Sequence, residues 1–322
     1  MNSENLGRRN FIAALGGLMA TSALPSSAAD DPSLFPKRGT FERMNLAYRH
    51  IHIGLERHFS VLHISDTHLT EWGPDETAKK DFAERRRRTF GGRQQSALFS
   101  SLEWAKKNAD YVLHTGDLVD FQSQANFDLV RRAYGEAASS MFGCVGNHEF
   151  QRRNPGEDLK GRAADAQSRI DLAKAFPFDV VFQSTVAGGV NFVAIEQTGG
   201  CVVQEQVERF AAEVKKGLPI VLCMHVPFYT DEIWLANERY WTYPNRKFSQ
   251  MPAKPDVNGE YGRQKKDSVT RDFIAYLKSE KLLRAILAGH LHFTFEDRFS
   301  PTAVECVVGG NFMFHGEELL FT

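Results

Sequence analysis

Five short apolar runs punctuate the chain, at 59–65, 111–115, 141–145, 220–224 and 285–288, and each stops abruptly at polar residues. Near-continuous apolarity over so few positions suits strands covered on both faces, since a strand with one wet face alternates instead. Helical periodicity fills the intervals at 94–108, 124–139, 202–216 and 268–280. Strand alternating with helix predicts an α/β layered fold. Segments around 178–183, 190–196, 292–299, 303–308 and 317–321 alternate as antiparallel strands do. The expectation is therefore mixed sheets, two of them packed together, with helices outside. With 322 residues, 42% of them hydrophobic, there is apolar material for one large globular domain or two small ones.

Three connections, 69–93, 150–177 and 226–267, are too long to be turns. Long connections tend to be lids or binding loops, and these three leave the C-terminal ends of strands, where layered α/β folds bind ligands. The polar residues at the strand ends carry the chemistry. The first run ends in Asp66-Thr67-His68, the second in Gly116-Asp117, and the third in Gly146-Asn147-His148-Glu149. The fourth ends at His225 and the fifth in Gly289-His290-Leu291-His292. Carboxylate, amide and imidazole are the ligands of Mn, Fe and Zn, and the lack of cysteine among them argues against a structural zinc site. In extended chain an Asp-x-His spacing places both side chains on one side. Glycine before Asp117, Asn147 and His290 permits sharp turns and close backbone approach. Any one of these pieces is an ordinary turn or cap. Five in order, at five strand ends, are not.

This ordered set resembles the signature of calcineurin-like metallophosphoesterases over roughly 59–295. The resemblance implies a four-layer α/β/β/α sandwich with mixed sheets and two metal ions, either divalent or of the Fe type (Mn, Fe or Zn). It implies that Asp66, His68 and His292 hold one ion, that Asn147, His225 and His290 hold the other, and that Asp117 bridges them. His148 is expected to face substrate, with Glu149 standing where the family's usual Asp orients that histidine. Asp120 occupies the place of the tyrosine that ligates iron in purple acid phosphatases, so a tyrosinate site is not expected. The implied activity is hydrolysis of phosphate mono- or diesters by attack of metal-bound hydroxide, and the partner is a small phosphorylated substrate. Cyclic nucleotides or glycerophosphodiesters are a narrower alternative. A non-catalytic binding module on the same fold should lack one or more of these residues, whereas every position is filled.

Residues 1–29 are different material. Arg8-Arg9-Asn10-Phe11 precedes an apolar run to Leu24, and Ser27-Ala28-Ala29 offers a small-x-small cleavage site. The run of about 14 residues is too short to span a bilayer. The arginine pair resembles a twin-arginine export signal. The expectation is a 1–29 signal peptide ahead of a 30–322 catalytic domain, exported to the periplasm or secreted, with no stable membrane anchor once the leader is removed. The net charge of -1 gives no general reason to expect nucleic acid.

Other features have plainer readings. Cys144, Cys223 and Cys306 lie in apolar runs and are expected as buried free thiols. His63 and His114, inside strands, are expected as hydrogen-bonded structural histidines, and His50 and His52 as solvent-facing on an edge strand. Arg85 to Arg88 form a charge run in the first long loop, near Asp66, which suits a phosphate-binding cluster but is more commonly a solvated helix face, the reading expected here. Phe228, Tyr229, Trp234, Tyr240, Trp241 and Tyr243 enrich the 226–267 connection in aromatic residues, which suits either packing onto the domain or a substrate lid with Trp72 opposite.

Overall fold

The computed structural model describes residues 44–137, 140–151, 166–242 and 267–322. Its strands, in chain order, are β1 (Asn45–Ile51), β2 (Phe59–Ile64), β3 (Tyr111–Thr115), β4 (Met141–Cys144), β5 (Phe182–Ala187), β6 (Val190–Ile195), β7 (Ile220–Cys223), β8 (Leu283–Ala288), β9 (Phe295–Arg298), β10 (Val304–Val307) and β11 (His315–Phe321). Its α-helices are α1 (Lys80–Thr89), α2 (Gln94–Asn108), α3 (Gln124–Ala137), α4 (Ala166–Leu172), α5 (Gln204–Val214), α6 (Asp231–Thr242) and α7 (Ser268–Ser279). The leader, the segment 152–165 and the segment 243–266 lie outside the described residues.

Alternation along the central strands sorts side chains into separate cores. Val61, Leu113 and Cys144 of one sheet meet Phe192, Val221, Cys223, Leu287 and Cys306 of the other, which makes the layer between sheets. Leu62, Ile64 and Val112 point the opposite way, onto Leu98 and Leu102 of α2 and Phe127 and Val130 of α3. Val193, Leu222 and Ile286 point outward onto Phe210 of α5 and Phe273 and Leu277 of α7. Helix, sheet, sheet, helix is the four-layer sandwich expected. Burying one such Leu or Ile is worth roughly 1.5–3 kcal/mol. The thiols of Cys144, Cys223 and Cys306 are free and buried, as their apolar surroundings require.

The first sheet has the order β1-β11-β2-β3-β4 and the second β5-β6-β7-β8-β10-β9. Pairing departs from expectation in one respect. β6 and β10 are antiparallel to the neighbours β5 and β9, yet parallel to β7 and β8 on their other sides. Likewise β11 runs antiparallel to β2 but parallel to β1. Three parallel strands of one sheet, β2, β3 and β4, and two of the other, β7 and β8, bring their C-terminal ends to one edge. That edge carries the site. His50 and His52 are exposed, His50 on the edge strand β1 and His52 just beyond it. No helix among the described residues is long and apolar enough to cross a membrane.

One buried carboxyl has thermodynamic consequences. Glu305 on β10 is fully buried, and its Oε1 accepts the Phe228 N–H at 2.7 Å, just beyond β7. Its Oε2 has no partner. Burial pushes this carboxyl up from 4.5 to about 8. Between those values the folded chain keeps a proton that the unfolded chain has lost, so stability falls as pH rises, by about 1.4 kcal/mol per pH unit. Glu305→Gln should therefore melt near the wild type at about pH 5 and clearly above it at about pH 8. Equal differences at the two pH values, in paired thermal melts, would contradict this.

Candidate metal centre

The site is built from residues in a backbone conformation that side chains ordinarily avoid. Among the described residues, the non-glycine positions with positive φ are Asp66 (55°), His68 (53°), Asp117 (53°), His290 (68°), His292 (62°) and Phe314 (62°). All but the last are ligand candidates. Each such conformation costs on the order of 1–3 kcal/mol and persists only where the surroundings impose it. Contrary to expectation, Asp66 and His68 are not in extended chain. Both side chains converge because each residue turns left-handed beyond the end of β2, not because a strand alternates. The glycines do permit close approach: a Cβ on Gly116 would lie 2.6 Å from the Gly146 nitrogen and 2.8 Å from His225 Nδ1.

Distances show which residues meet. His292 Nε2 lies 3.2 Å from Asp66 Oδ1 and 3.2 Å from His68 Nε2, and His68 Nε2 lies 3.7 Å from Asp66 Oδ1. On the other side His225 Nε2 lies 3.1 Å from Asp117 Oδ2 and 3.3 Å from His290 Nδ1. Asp117 Oδ2 is also 3.8 Å from His68 Nε2 and 3.9 Å from His148 Nε2, so it stands between the two groups. Three compact sets result: Asp66, His68 and His292; Asp117, His225 and His290; and His68, Asp117 and His148. Asn147 lies in the loop after β4 and is buried.

The donor atoms fit a cation. Each aspartate gives one oxygen to a backbone N–H, Asp66 Oδ2 to His290 and Asp117 Oδ1 to His148, both at 2.8 Å. The second oxygen of each points inward, and Asp66 Oδ1 is buried with no hydrogen-bond partner. Asn147 Oδ1 is equally buried and unpartnered. Buried oxygens without donors are expensive, and a bound cation relieves them. The histidines are aimed alike. His225 Nδ1 faces the Thr115 carbonyl at 2.8 Å, which accepts but cannot donate, so Nδ1 carries a proton and Nε2 is the nitrogen aimed inward for a cation. His68 Nδ1 faces Asp120 Oδ1 at 3.1 Å with the same result.

Electrostatics agrees with this arrangement. Burial pushes the His68 imidazole down to about 4, leaving it neutral and ready to ligate at neutral pH. Burial also lowers His225, but the Asp117 carboxylate beside it prevails and raises it to about 9. Burial works against ionisation of Asp66, yet facing His292 and His225 outweigh it and hold that carboxyl below the usual range. The pair Asp117 and His225 thus behaves as an internal ion pair that a cation would displace.

Three residues differ from expectation. Glu149 does not orient His148. Its carboxylate accepts backbone N–H groups from Gly146 (2.6 Å), Asp117 (3.0 Å), Leu118 (2.6 Å) and Val119 (3.1 Å), and so clamps the two ligand loops together. Asp120 orients the histidine instead: His148 Nδ1 lies 3.0 Å from both the Asp120 carbonyl and its Oδ1. Arg86 is not on a solvated face, since its Nε and Nη2 each donate to Asp120 at 2.7 Å. Two signals for these were present in the sequence. Asp120 is a carboxylate set between Val119 and Phe121, and Arg86 stands four residues from both Phe82 and Phe90, on the apolar side of its helix.

The remaining assignments sort cleanly. His63 Nε2 meets Thr115 Oγ1 at 2.8 Å and His114 Nε2 meets Thr67 Oγ1 at 2.9 Å, so both are structural. The connection 69–93 contains α1, 150–177 contains α4, and 226–267 contains α6. Phe228 and Trp234 are buried in apolar clusters, which favours packing over a lid for these two. The Trp241 side chain and Tyr243 lie outside the described residues. Trp72 carries the Arg87 guanidinium at 5.5 Å from its ring centre.

A four-layer α/β sandwich with clustered aspartates and histidines at one sheet edge defines a class, the metal-dependent hydrolases of phosphoric esters. The chain belongs to the calcineurin-like phosphoesterase family, whose model matches residues 59–294. No curated protein matches it in sequence. Among solved structures it is similar to a dimetal phosphatase from Danio rerio, at 12% identity and TM-score 0.42, covering 79% of this chain and 88% of that one. It is also similar to a purple acid phosphatase from yellow lupin seeds, at 13% identity and TM-score 0.48, covering 79% of this chain and 44% of that one. A 5'-nucleotidase from Candida albicans follows at 13% identity and TM-score 0.38, covering 84% of this chain and 47% of that one. Likeness of this degree carries no argument about substrate.

Proposed function

We propose that the chain hydrolyses phosphate mono- or diesters at a dinuclear centre in which Asp66, His68 and His292 hold one ion and Asn147, His225 and His290 the other. Asp117 bridges them. The observation that carries this reading is the meeting of the two ligand groups at a single atom, Asp117 Oδ2. Ions bound there would supply an activated water and offset the negative charge of the phosphoryl group. The residues of the chain do the rest. Asp120 fixes His148 through Nδ1, which leaves Nε2 3.9 Å from Asp117 Oδ2, on a side chain that keeps some exposure (17%). Asp117 and Asp120 both raise the affinity of His148 for a proton against the opposing effect of burial. A proton held at Nε2 is then available to the departing alkoxide. Neighbouring Phe90 stacks on His68 with ring centres 4.2 Å apart and shields that ligand from solvent.

The test is a panel of phosphate monoesters, cyclic and open diesters, and nucleotides, assayed on chelated protein resupplied with Mn, Fe or Zn in turn. The reading predicts turnover that vanishes with chelator and returns with metal. Full metal binding without turnover on any ester would favour the non-catalytic module instead. The 1–29 leader supports export to the periplasm or beyond. Recovery of the chain only from the cytoplasm, at full length, would count against export.

A further inference from the structure

We propose that Arg86 is a substrate-binding residue that grips a non-bridging phosphate oxygen at the rim of the site, a role that rests on the hydrolytic reading above. Arg86 comes from α1, inside the 69–93 connection, and reaches the centre by its bond to Asp120. Its Nη2 and the Nδ1 of His148 both bond to one atom, Asp120 Oδ1, at 2.7 and 3.0 Å. The guanidinium and the imidazole ring that donates the proton therefore lie side by side on Asp120, within two hydrogen-bond lengths at the Nδ1 edge of the ring. That separation suits two groups acting on one phosphate.

Three further observations support a ligand role over a purely structural brace. A guanidinium has more N–H donors than a single carboxylate can accept, and no described residue accepts from its Nη1. Its side chain is 24% exposed, whereas the Asp120 carboxylate that holds it is fully buried. Its plane is fixed from below by Asp120 and flanked by Phe90, whose ring centre lies 4.7 Å from the guanidinium carbon. A cation held rigid in this way loses little freedom on binding an anion, and planar N–H pairs match phosphate oxygens. Removing Arg86 should weaken phosphate itself at unchanged metal content, whereas a brace for Asp120 would act on turnover through His148 and on metal content through His68.

The experiment measures equilibrium binding of inorganic phosphate to the metal-loaded full-length protein by dialysis with labelled phosphate, alongside kcat and KM for an aryl phosphate. Arg86→Gln should raise the phosphate Kd about tenfold or more at unchanged metal content, with KM rising in step. Arg88→Gln, on an exposed position of the same helix, should leave both unchanged. A fall in kcat with phosphate Kd within twofold of wild type would overturn the proposal and leave Arg86 a brace. Should Arg86→Gln not fold, Arg86→Lys carries the test, because lysine keeps the charge beside Asp120 but has no planar pair to share. It should weaken phosphate at least threefold, and an unaltered Kd would refute the assignment. Because binding is read without turnover, a wild type that binds phosphate through Arg86 yet cleaves no ester would defeat the hydrolytic reading alone.

Discussion

Asp117→Asn is expected to strip most of the bound metal and to lower turnover at least about 100-fold, more than the loss typical of an outer-shell partner. The reason is local. Asp117 Oδ1 accepts the His148 N–H at 2.8 Å, and Oδ2 faces His225 Nε2 at 3.1 Å and His68 Nε2 at 3.8 Å. An asparagine can satisfy only one side. With its oxygen toward the His148 N–H, its amide nitrogen takes the place of the bridging oxygen and cannot coordinate. Flipped, its amide opposes the His148 N–H, donor against donor. In the first case the bridge is lost, and in the second it is kept only by a neutral oxygen against that repulsion, while a side chain of equal size remains, so the fold should survive. Elemental analysis of the purified variant decides the matter. Wild-type metal content in Asp117→Asn would show that this carboxylate is no bridge.

His148→Ala is expected to lower kcat by about 10²–10⁴-fold while leaving metal content intact. The distinction matters because His148 also forms a compact set with His68 and Asp117 and could in principle be a ligand. Both His148 and His68 hold Asp120 through Nδ1 and lie 3.8–3.9 Å from Asp117 Oδ2, and what sets His148 apart is exposure, 17% against 1%. A proton donor should matter least where the leaving group needs no proton. The loss on a nitrophenyl phosphate should therefore be much smaller than on an alkyl phosphate. Equal losses on both would remove His148 from the proton-transfer role, and an emptied site would make it a ligand.

Most of the layered architecture was legible because it depends on local patterns. Runs such as 59–65 and 220–224 are apolar enough to demand cover on both faces, and β2 and β7 fall within them. The helical intervals appear as α2, α3, α5 and α7 within a few residues of expectation. Strand pairing was less legible, since whether β6 lies parallel to β7 is decided by distant chain rather than by its own residues. The same division holds at the site. Asp66, His68, Asp117, His225, His290 and His292 announced themselves at strand ends and do converge. The left-handed backbone that all but His225 adopt did not, because the tertiary contacts that impose it are invisible locally. Glu149 was misread for a related reason. One extra methylene carries its carboxylate past His148 to four backbone N–H groups, and Asp120, one short turn after Asp117, takes the imidazole instead. Arg86 was concealed within a run of like residues, where only its spacing from Phe82 and Phe90 set it apart.

Anomalous diffraction from crystals of manganese- or zinc-loaded protein would locate the ions themselves. Two peaks per chain are expected, one contacting Asp66, His68 and His292, the other Asn147, His225 and His290, with Asp117 touching both. A single peak, or a pair that leaves Asp117 without a metal contact, would contradict the bridged dinuclear centre.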